Sequence, residues 1–295
     1  MPVDVPAAEQ FLLSNARLLE RHRMAVLLHG GAASPVLDAL RAYRNADGGF
    51  GHALEPDVRG PESEPVATLA ALEVLAEVGE LDDPMVADAA AWIGGIADAD
   101  GGVPFVMPAT SLHPHAPWMV PTQGGSQLTF ALAAVLTEAD SDDPWLPRAT
   151  EWCWRRIAHP EELHSYRVKF ALAFLDAVPD EARATAAIEG LRSRIGPDGT
   201  MPVAGGTDDE RLTPLGLSPQ PGTRSRVLFT QQQIDADLDR LEDDQQADGG
   251  WTFDWLAWSE GQSVEWRGLV TLLSLASLAD HGRIELPQAS RQADS

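Results

Sequence analysis

The sequence has almost no cysteine and almost no lysine. Cys153 is the only cysteine in 295 residues, which excludes an intrachain disulfide and any metal site built from several thiolates. Lys169 is the only lysine among 21 Lys and Arg residues. Chemistry that needs a side-chain amine therefore has one place in this chain to occur.

Long hydrophobic runs are also missing. No stretch reaches the roughly 18 consecutive apolar residues of a membrane span. Residues 1–30 contain no positively charged segment that leads into an apolar one, as a secretory signal would. We therefore expect no membrane span and a cytoplasmic protein.

Positive charge is scarce, because the formal net charge is −24. A nucleic-acid backbone would be repelled over most of such a surface. The composition therefore excludes a nucleic-acid partner.

Four copies of one turn recur along the chain, and each contains an Asp followed by a Gly. Their positions are 47–50, 100–103, 198–201 and 248–251. The turns recur about every 50 residues if one copy near position 150 has lost its signature, and such a period is typical of about six stacked units.

The segments between the turns predict helices of two alternating kinds. Continuous apolar runs predict inner helices, whereas one-sided patterns predict outer helices. Asp83-Pro84 and Asp143-Pro144 are typical of a capping acid before the first helical residue. No long stretch alternates with the period of two that a strand requires. The predicted inner helices include 66–75, 128–136 and 264–278, and the outer ones 84–97, 144–158 and 181–195. We predict an all-α fold, an (α/α)6 toroid of about six helical hairpins, as a single domain over residues 1–285 with a flexible tail at 286–295.

The turns carry a family resemblance. The segment 246–251, Gln-Ala-Asp-Gly-Gly-Trp, resembles a repeated motif of the superfamily that includes squalene cyclase and other class II terpene cyclases. The segment 47–51, Asp-Gly-Gly-Phe-Gly, is similar to its counterpart in protein prenyltransferase β subunits. The pattern covers about residues 45–280. It implies an apolar central cavity that accepts an isoprenoid or similar hydrophobic small molecule.

The resemblance also implies where an active site would lie. Alignment on the helix at 66–75 places Glu62 and Glu64 where prenyltransferases hold zinc, and close to the Asp-rich acid motif of class II cyclases. The chain has no Cys or suitably placed His in this stretch and no Asp-x-Asp-Asp. We therefore predict no metal site and no cofactor, and we leave Mg²⁺ open for the case of a diphosphate substrate.

The loop at 52–65 concentrates acids between prolines, an arrangement in which neighbouring carboxylates raise one another's pKa and one keeps a proton for general acid catalysis. Alternate residues of an extended segment share a direction, so we expect Glu62 and Glu64 to point the same way and to titrate as a pair. The alternative is an acidic surface loop whose acids cap the next helix. Asp254 is a further candidate. The catalytic candidates are His52, Glu55, Asp57, Glu62, Glu64 and Asp254.

Basic and aromatic residues complete the predicted site. Cations in apolar helices either pair with carboxylates or hold an anionic ligand, and aromatic faces stabilise carbocations or stack on sugars. We expect Trp251 instead to pack as a wedge between repeats. The substrate-binding candidates are Tyr166, Arg167, Lys169, Arg267, Trp118, Trp255, Trp258 and Trp266.

Three functions remain open at this level. The preferred one is a terpenoid cyclase-like enzyme of isomerase or lyase type, in which a carboxylic acid protonates an alkene or epoxide. The second is a carbohydrate-active (α/α)6 lyase, hydrolase or epimerase that uses paired acids and stacked Trp. The third is a non-catalytic binding protein on the same fold.

Overall fold

The computed structural model describes residues 2–286. The tail predicted at 286–295 lies outside the described residues except for Leu286. Within residues 2–286 the chain is mostly helical, with twelve α-helices, four short 3-10 helices and one two-stranded ladder. The α-helices are α1 (Val5–Asn15), α2 (Leu18–His29), α3 (Ser34–Arg41), α4 (Pro65–Glu77), α5 (Pro84–Ile96), α6 (Leu128–Glu138), α7 (Trp145–Ile157), α8 (Tyr166–Ala177), α9 (Glu181–Leu191), α10 (Pro214–Leu217), α11 (Gln231–Asp243) and α12 (Glu260–Asp280). The ladder pairs β1 (Met201–Pro202) with β2 (Arg211–Leu212) in antiparallel register, and the 3-10 helices are Pro108–Leu112, Pro160–Glu162, Arg192–Arg194 and Arg224–Leu228.

The helices belong to two compact units. Unit 1 comprises residues 2–42, Leu238–Phe253 and residues 259–286, and unit 2 comprises Tyr43–Asp237 with Asp254–Trp258. In unit 1, α12 packs against α1 and α2, and α2 packs against α3. The single domain expected over residues 1–285 stays a prediction.

Unit 2 is built from helices of the two predicted kinds. The helices α4, α6 and α8 pack side by side, and each also packs against the helix that follows it, namely α5, α7 or α9. Every residue of the apolar run Leu128–Leu136 in α6 is buried. The amphipathic α7 buries one side only, through residues such as Trp145 and Trp152. Continuous apolar runs therefore mark helices enclosed by neighbours, because only burial on all sides removes all of that surface from water.

The predicted caps of the outer helices are present. The Asp83 side chain accepts a hydrogen bond from Met85 N at 2.9 Å, and Asp143 accepts one from Trp145 N at 2.8 Å. Each carboxylate satisfies an amide that has no partner within its own helix. The helices begin at Pro84 and Trp145, close to the predicted starts.

The four Asp-Gly turns share one geometry. Their first glycines, Gly48, Gly101, Gly199 and Gly249, have φ between +84° and +95°, in the left-handed region that disfavours side chains. In each turn the Asp side chain accepts a hydrogen bond from the amide two residues later, at 3.0–3.2 Å. The signature is therefore a requirement of the backbone conformation.

Three of the turns are fastened to a helix by a buried threonine. Phe50 N donates to Thr68 Oγ1 at 3.1 Å, Val103 N donates to Thr129 Oγ1 at 2.9 Å, and Trp251 N donates to Thr271 Oγ1 at 2.9 Å. After the turn at 198–201 the chain instead forms the β1–β2 ladder and the four-residue α10. This copy is not followed by an apolar helix, because the segment after it is rich in Gly, Pro and acids.

The prediction that a turn without its signature lies near position 150 is wrong in position. Position 150 lies inside α7, and the connection from α7 to α8 runs through the 3-10 helix Pro160–Glu162 to Ser165. The amphipathic pattern of α7 continues across position 150. The helix therefore ends, and the connection to α8 begins, later than an even repeat predicts.

Candidate functional site

Glu62 and Glu64 both reach the same loop of unit 2, but their surroundings differ. The Glu62 carboxylate lies 2.9 Å from His113 Nε2 and remains about half exposed. The Glu64 carboxylate is buried and accepts hydrogen bonds from Met107 N at 2.7 Å and Thr110 Oγ1 at 2.6 Å. Each of the two acids therefore has its own hydrogen-bond partners, and the expectation that they titrate as a pair stays a prediction.

The pKa values of these two acids move in opposite directions. Burial raises the pKa of Glu64, although its two hydrogen bonds oppose the shift and the nearby Glu62 charge adds to it. Hydrogen bonds, first from its own backbone and then from His113, hold the pKa of Glu62 below its usual value. Glu64 is thus the acid of this pair that keeps a proton more readily.

His52 and Glu55 lie on the same loop. His52 has φ of 54°, a strained conformation for a residue with a side chain, and its Nε2 lies 2.9 Å from Asn45 Oδ1. Glu55 is partly exposed, and its carbonyl accepts a hydrogen bond from Val58 N at 3.1 Å. The His52 ring therefore fastens the loop to the preceding turn.

Asp57 is the most enclosed acid of this loop after Glu64. Its residue is 3% exposed, and its Oδ1 accepts a hydrogen bond from the indole Nε1 of Trp258 at 3.0 Å. The backbone carbonyl of Asp57 also accepts from Ala116 N at 2.9 Å, which fixes the loop against the segment that follows the 3-10 helix Pro108–Leu112. The arrangement places a carboxyl against the edge of an aromatic side chain.

The hydroxyl of Tyr166, at the start of α8, contacts one carboxylate and is affected by the charges of two others. Tyr166 Oη donates to Glu210 Oε1 at 3.2 Å. Burial raises the pKa of Tyr166, and the negative charges of Glu210, Asp254 and Asp57 raise it further. Tyr166 is therefore a neutral hydrogen-bond donor at any physiological pH. This group, Asp57, Tyr166, Glu210 and Asp254 with Trp258, is called the acid cluster below.

Sequence reasoning missed Glu210. It lies in an acidic stretch with Asp208 and Asp209, and both of these neighbours are exposed, whereas Glu210 is buried. No periodicity distinguishes the three acids, because the segment is neither a helix nor a regular strand. Only the contact with Tyr166 identifies Glu210.

Asp254 lies at the exposed edge of the cluster. Its Oδ2 is 3.4 Å from Arg211 N, and its carbonyl accepts from Thr207 Oγ1 at 2.8 Å. The other predicted aromatic residues are distributed differently. Trp255 is partly exposed in unit 2, Trp266 is partly exposed on α12 in unit 1, and Trp118 is 37% exposed.

The predicted cationic residues also have different surroundings. Arg267 makes a two-pronged ion pair with Asp248, at 2.8 and 2.9 Å, and stacks on Phe11. Its role in substrate binding stays a prediction. Arg167 is exposed at the first turn of α8. The predicted wedge, Trp251, is 1% exposed and donates from Nε1 to the Leu241 carbonyl at 2.7 Å.

Lys169 lies on the accessible side of α8, together with Tyr166, Phe170 and Ala173, whereas Val168, Ala171 and Leu172 are buried. Burial lowers the pKa of Lys169, and the charge of Glu73 on α4 opposes the shift. No hydrogen bond or ion pair reaches Lys169 Nζ from any of residues 2–286.

Two broader features concern metals and membranes. Among the described residues, no group of three or more His, Cys, Asp or Glu side chains is arranged to hold a metal ion. In the same part of the chain, no helix combines the length and the apolar character needed to cross a membrane.

No family model and no curated protein matches the sequence. Solved structures do match over nearly the whole chain. A variant of the type II terpene cyclase MstE from Scytonema, in complex with its substrate geranylgeranyl dihydroxybenzoate, gives a TM-score of 0.58 at 13% identity and covers 93% of this chain and 96% of its own. The apo form of that cyclase gives 0.57 at 15% identity and covers 95% and 98%. A protein from Actinoplanes gives 0.57 at 16% identity and covers 92% and 98%. The chain therefore has a helical fold similar to that of a type II terpene cyclase.

Proposed function

We propose that the protein is a terpene cyclase-like enzyme that protonates an isoprenoid or similarly hydrophobic small molecule. The observation that carries the proposal is the buried carboxyl of Asp57 against the Trp258 indole. The full-length likeness to a type II terpene cyclase supports the same class of reaction. The likeness concerns the fold, so the chemistry rests on the acid cluster.

Asp57 is assigned as the proton donor. The carboxyl gives its proton to one carbon of an alkene, or to the oxygen of an epoxide, and the positive charge develops on the neighbouring carbon. The faces of Trp258 and Tyr166 stabilise this cation through their quadrupoles. Loss of a proton from the cyclised cation returns the substrate's composition, so the net reaction is an isomerisation.

The other acids of the loop serve this role less well. The Glu62 carboxylate is about half exposed and pairs with His113. Both oxygens of Glu64 already accept hydrogen bonds, one of them from a backbone amide. A proton donor must be shielded from water and must be able to meet the substrate.

The test is turnover in D₂O with geranylgeraniol, its terminal epoxide and geranylgeranyl diphosphate, the last with and without Mg²⁺. From the alkene substrates we expect a cyclic product with one deuterium at the protonated carbon, and from the epoxide a cyclic alcohol whose deuterium is on oxygen and exchanges; mass spectrometry detects both. Asp57→Asn keeps the oxygen that accepts from Trp258, so it should preserve the melting temperature and lower turnover by about 100-fold or more.

Asp38→Asn on α3 is the matched control, since this carboxylate is 75% exposed and pairs with Arg41. It should leave turnover unchanged. An active Asp57→Asn enzyme would contradict the assignment, and loss of turnover in Glu62→Gln or Glu64→Gln alone would move the acid to the position that the sequence predicts.

A carbohydrate-active enzyme is the second candidate, favoured by the three carboxylates and two aromatic side chains of the acid cluster. Reducing-sugar release from a panel of oligosaccharides distinguishes the two. Activity on these, without product from any isoprenoid, would replace the first proposal.

The finer architecture is part of the proposal. We propose that the helical hairpins close into one (α/α)6 ring that unfolds as a single domain. Calorimetry should then give one transition whose calorimetric and van't Hoff enthalpies agree. Two separate transitions would contradict a single domain.

A further inference from the structure

The outer side of α7 in unit 2 carries two cavities that adjoin each other. The first has a volume of about 500 Å³ and is bounded by α7 and by Arg183 in the first turn of α9. The second has a volume of about 440 Å³ and lies between the start of α7 and the loop that joins α8 to α9. Pro147 and Thr150 line both cavities. The two cavities therefore form one groove, which is called the α7 groove below.

Apolar side chains line much of the α7 groove. Trp154 is half-buried there, and the Arg183 guanidinium carbon lies 3.8 Å from the centroid of its ring. Removal of this surface from water by a partner would be favourable. The exposed or partly exposed apolar residues of the groove are Leu146, Pro147, Trp154, Ala158 and Pro179.

Charge is distributed unequally along the groove. Asp142 and Asp143 lie at the end where α7 begins, whereas Arg155 and Arg183 line the other cavity. Over residues 142–158, three Arg balance two Asp and one Glu, so the formal charge of this segment is zero although the chain carries −24. A second copy of the chain that approaches along this segment therefore meets no net repulsion from it.

The groove is complementary to itself under a two-fold rotation. In two antiparallel copies of a helix, residues at equal distances on either side of the axis lie opposite each other. Asp142 precedes Pro147 by five residues, and Arg155 follows Thr150 by five. An axis that passes between Pro147 and Thr150, the residues shared by the two cavities, therefore places Asp142 opposite Arg155 of the second copy, and does so twice.

We propose that the α7 groove is the interface of a homodimer, in which α7 of each copy lies antiparallel in the groove of the other. The second copy covers the exposed part of Trp154, and Asp142 pairs across the interface with Arg155. Within its own chain Arg155 lies 3.2 Å from Glu151 and 3.8 Å from Asp100, and all three side chains are exposed. Such pairs contribute little, so Arg155 can exchange them for a partner in the interface.

Other occupants fit the groove less well. An anionic lipid surface would be repelled by a chain of charge −24, and a concave face makes poor contact with a membrane. A small molecule would fill the cavities and leave the protein monomeric. The inference does not depend on the proposed enzyme activity, because its readout is the mass of the particle in solution.

The test is sedimentation equilibrium of the full chain in about 0.15 M NaCl, where exposed charges are screened beyond roughly 8 Å. We expect the monomer of 31.7 kDa at the lowest concentrations and a dimer of twice that mass at the highest. A dissociation constant of about 1–100 μM is expected, because a short interface with few apolar side chains belongs to the weak class. Protein concentrations from about 1 to 200 μM cover this range.

Two charge reversals test the pairing. Asp142→Arg and Arg155→Glu each place like charges opposite each other in a homodimer, so each variant alone should weaken dimerisation by about tenfold or more. An equal mixture of the two variants has opposite charges at both contacts. The mixture should therefore form a heterodimer with nearly the affinity of the wild-type dimer, and native mass spectrometry identifies it from the different masses of the two chains.

Asp82→Arg is the matched control, because Asp82 is exposed and precedes the outer helix α5 in the same Asp-Asp-Pro sequence. It should leave dimerisation unchanged, and circular dichroism verifies that all three variants are folded. A monomer at every concentration would overturn the proposal. So would a dimer that both reversals preserve, a mixture that does not associate, or an equal effect of Asp82→Arg.

Discussion

Lys169 lies among apolar residues, and within residues 2–286 its Nζ makes no hydrogen bond or ion pair, although it lies over the Phe170 ring. Arg267 and Arg283, by comparison, are paired with carboxylates. An enclosed charge without a partner destabilises the fold. A residue of this kind is more readily explained by chemistry than by stability.

Replacement of Lys169 by Met tests how much the enclosed charge destabilises the fold. Because the folded protein lowers the pKa of Lys169, the contribution of Lys169 to stability is full above the usual lysine value of 10.5 and is lost as pH falls through the lowered value. Lys169→Met should therefore raise the free energy of unfolding at pH 7 by about 1–3 kcal/mol, measured by urea denaturation. The gain should shrink above pH 10.5. A destabilised variant at pH 7 would show that the amine has a structural role.

Glu64 provides the opposite case. Its pKa is raised in the folded protein, so its contribution to stability is full below the usual value of 4.5 and is lost as pH rises through the raised value. The stability of the wild-type protein relative to Glu64→Gln should thus be greatest in acid and decline toward neutral pH, in urea denaturation at pH 4 and pH 7.

Glu62→Gln is the control for this titration. Its carboxyl is exposed and its pKa is lowered, so any dependence on pH should be weak and of opposite sign. Equal pH dependence in both variants would mean that the two acids titrate as one pair, as the sequence predicts.

The Asp-Gly turn is the element that the sequence predicts best. Gly101 has φ of +95°, and a Cβ built on it would lie 2.5 Å from the carbonyl carbon of Arg148 in α7. Both the backbone conformation and the contact therefore require glycine.

Alanine substitutions at two glycines separate the cost of backbone strain from the cost of the steric contact. Gly79 has φ of +76°, but a Cβ there would meet nothing within 4 Å. Gly79→Ala should cost about 1–2 kcal/mol, from backbone strain alone. Gly101→Ala should cost about 2–4 kcal/mol, since the steric contact is added. Equal losses in thermal or urea unfolding would show that the close approach to α7 relaxes freely.

Elements also show where sequence reasoning failed. The apolar runs predicted α4 and α6, and the Asp-Pro pairs predicted the starts of α5 and α7 within a residue. The threonines that fasten the turns were missed, because Thr68, Thr129 and Thr271 lie at unequal distances after their turns. The short α10 and the β1–β2 ladder were also missed, since segments of two to four residues carry no periodicity.

At the scale of the whole molecule, charge is the dominant feature. A net charge of −24 in 31.7 kDa produces repulsion that favours expansion of the chain. Salt at about 0.15 M screens exposed charges beyond roughly 8 Å. Ion pairs between exposed side chains, such as Arg155 with Glu151, are individually weak and lose little by the same screening.

The melting temperature should therefore rise by a few degrees when NaCl is increased from about 0.01 M to about 0.15 M. Differential scanning fluorimetry over a series of salt concentrations measures this directly. Sodium sulfate at equal ionic strength is the control for effects specific to chloride. A fall in melting temperature would mean that ion pairs outweigh the net repulsion.

The sequence by itself determined the helical class, the turns that need glycine, the acidic surface and the presence of one amine. These properties follow from local periodicity, backbone sterics and composition, none of which depends on distant contacts. Tertiary structure alone decided the partners of the polar side chains. Trp258 meets Asp57 across 201 residues of sequence, and Tyr166 meets Glu210 across 44. Such pairs leave no mark on local patterns, because a hydrogen bond requires proximity in space and sequence spacing supplies it only within one element.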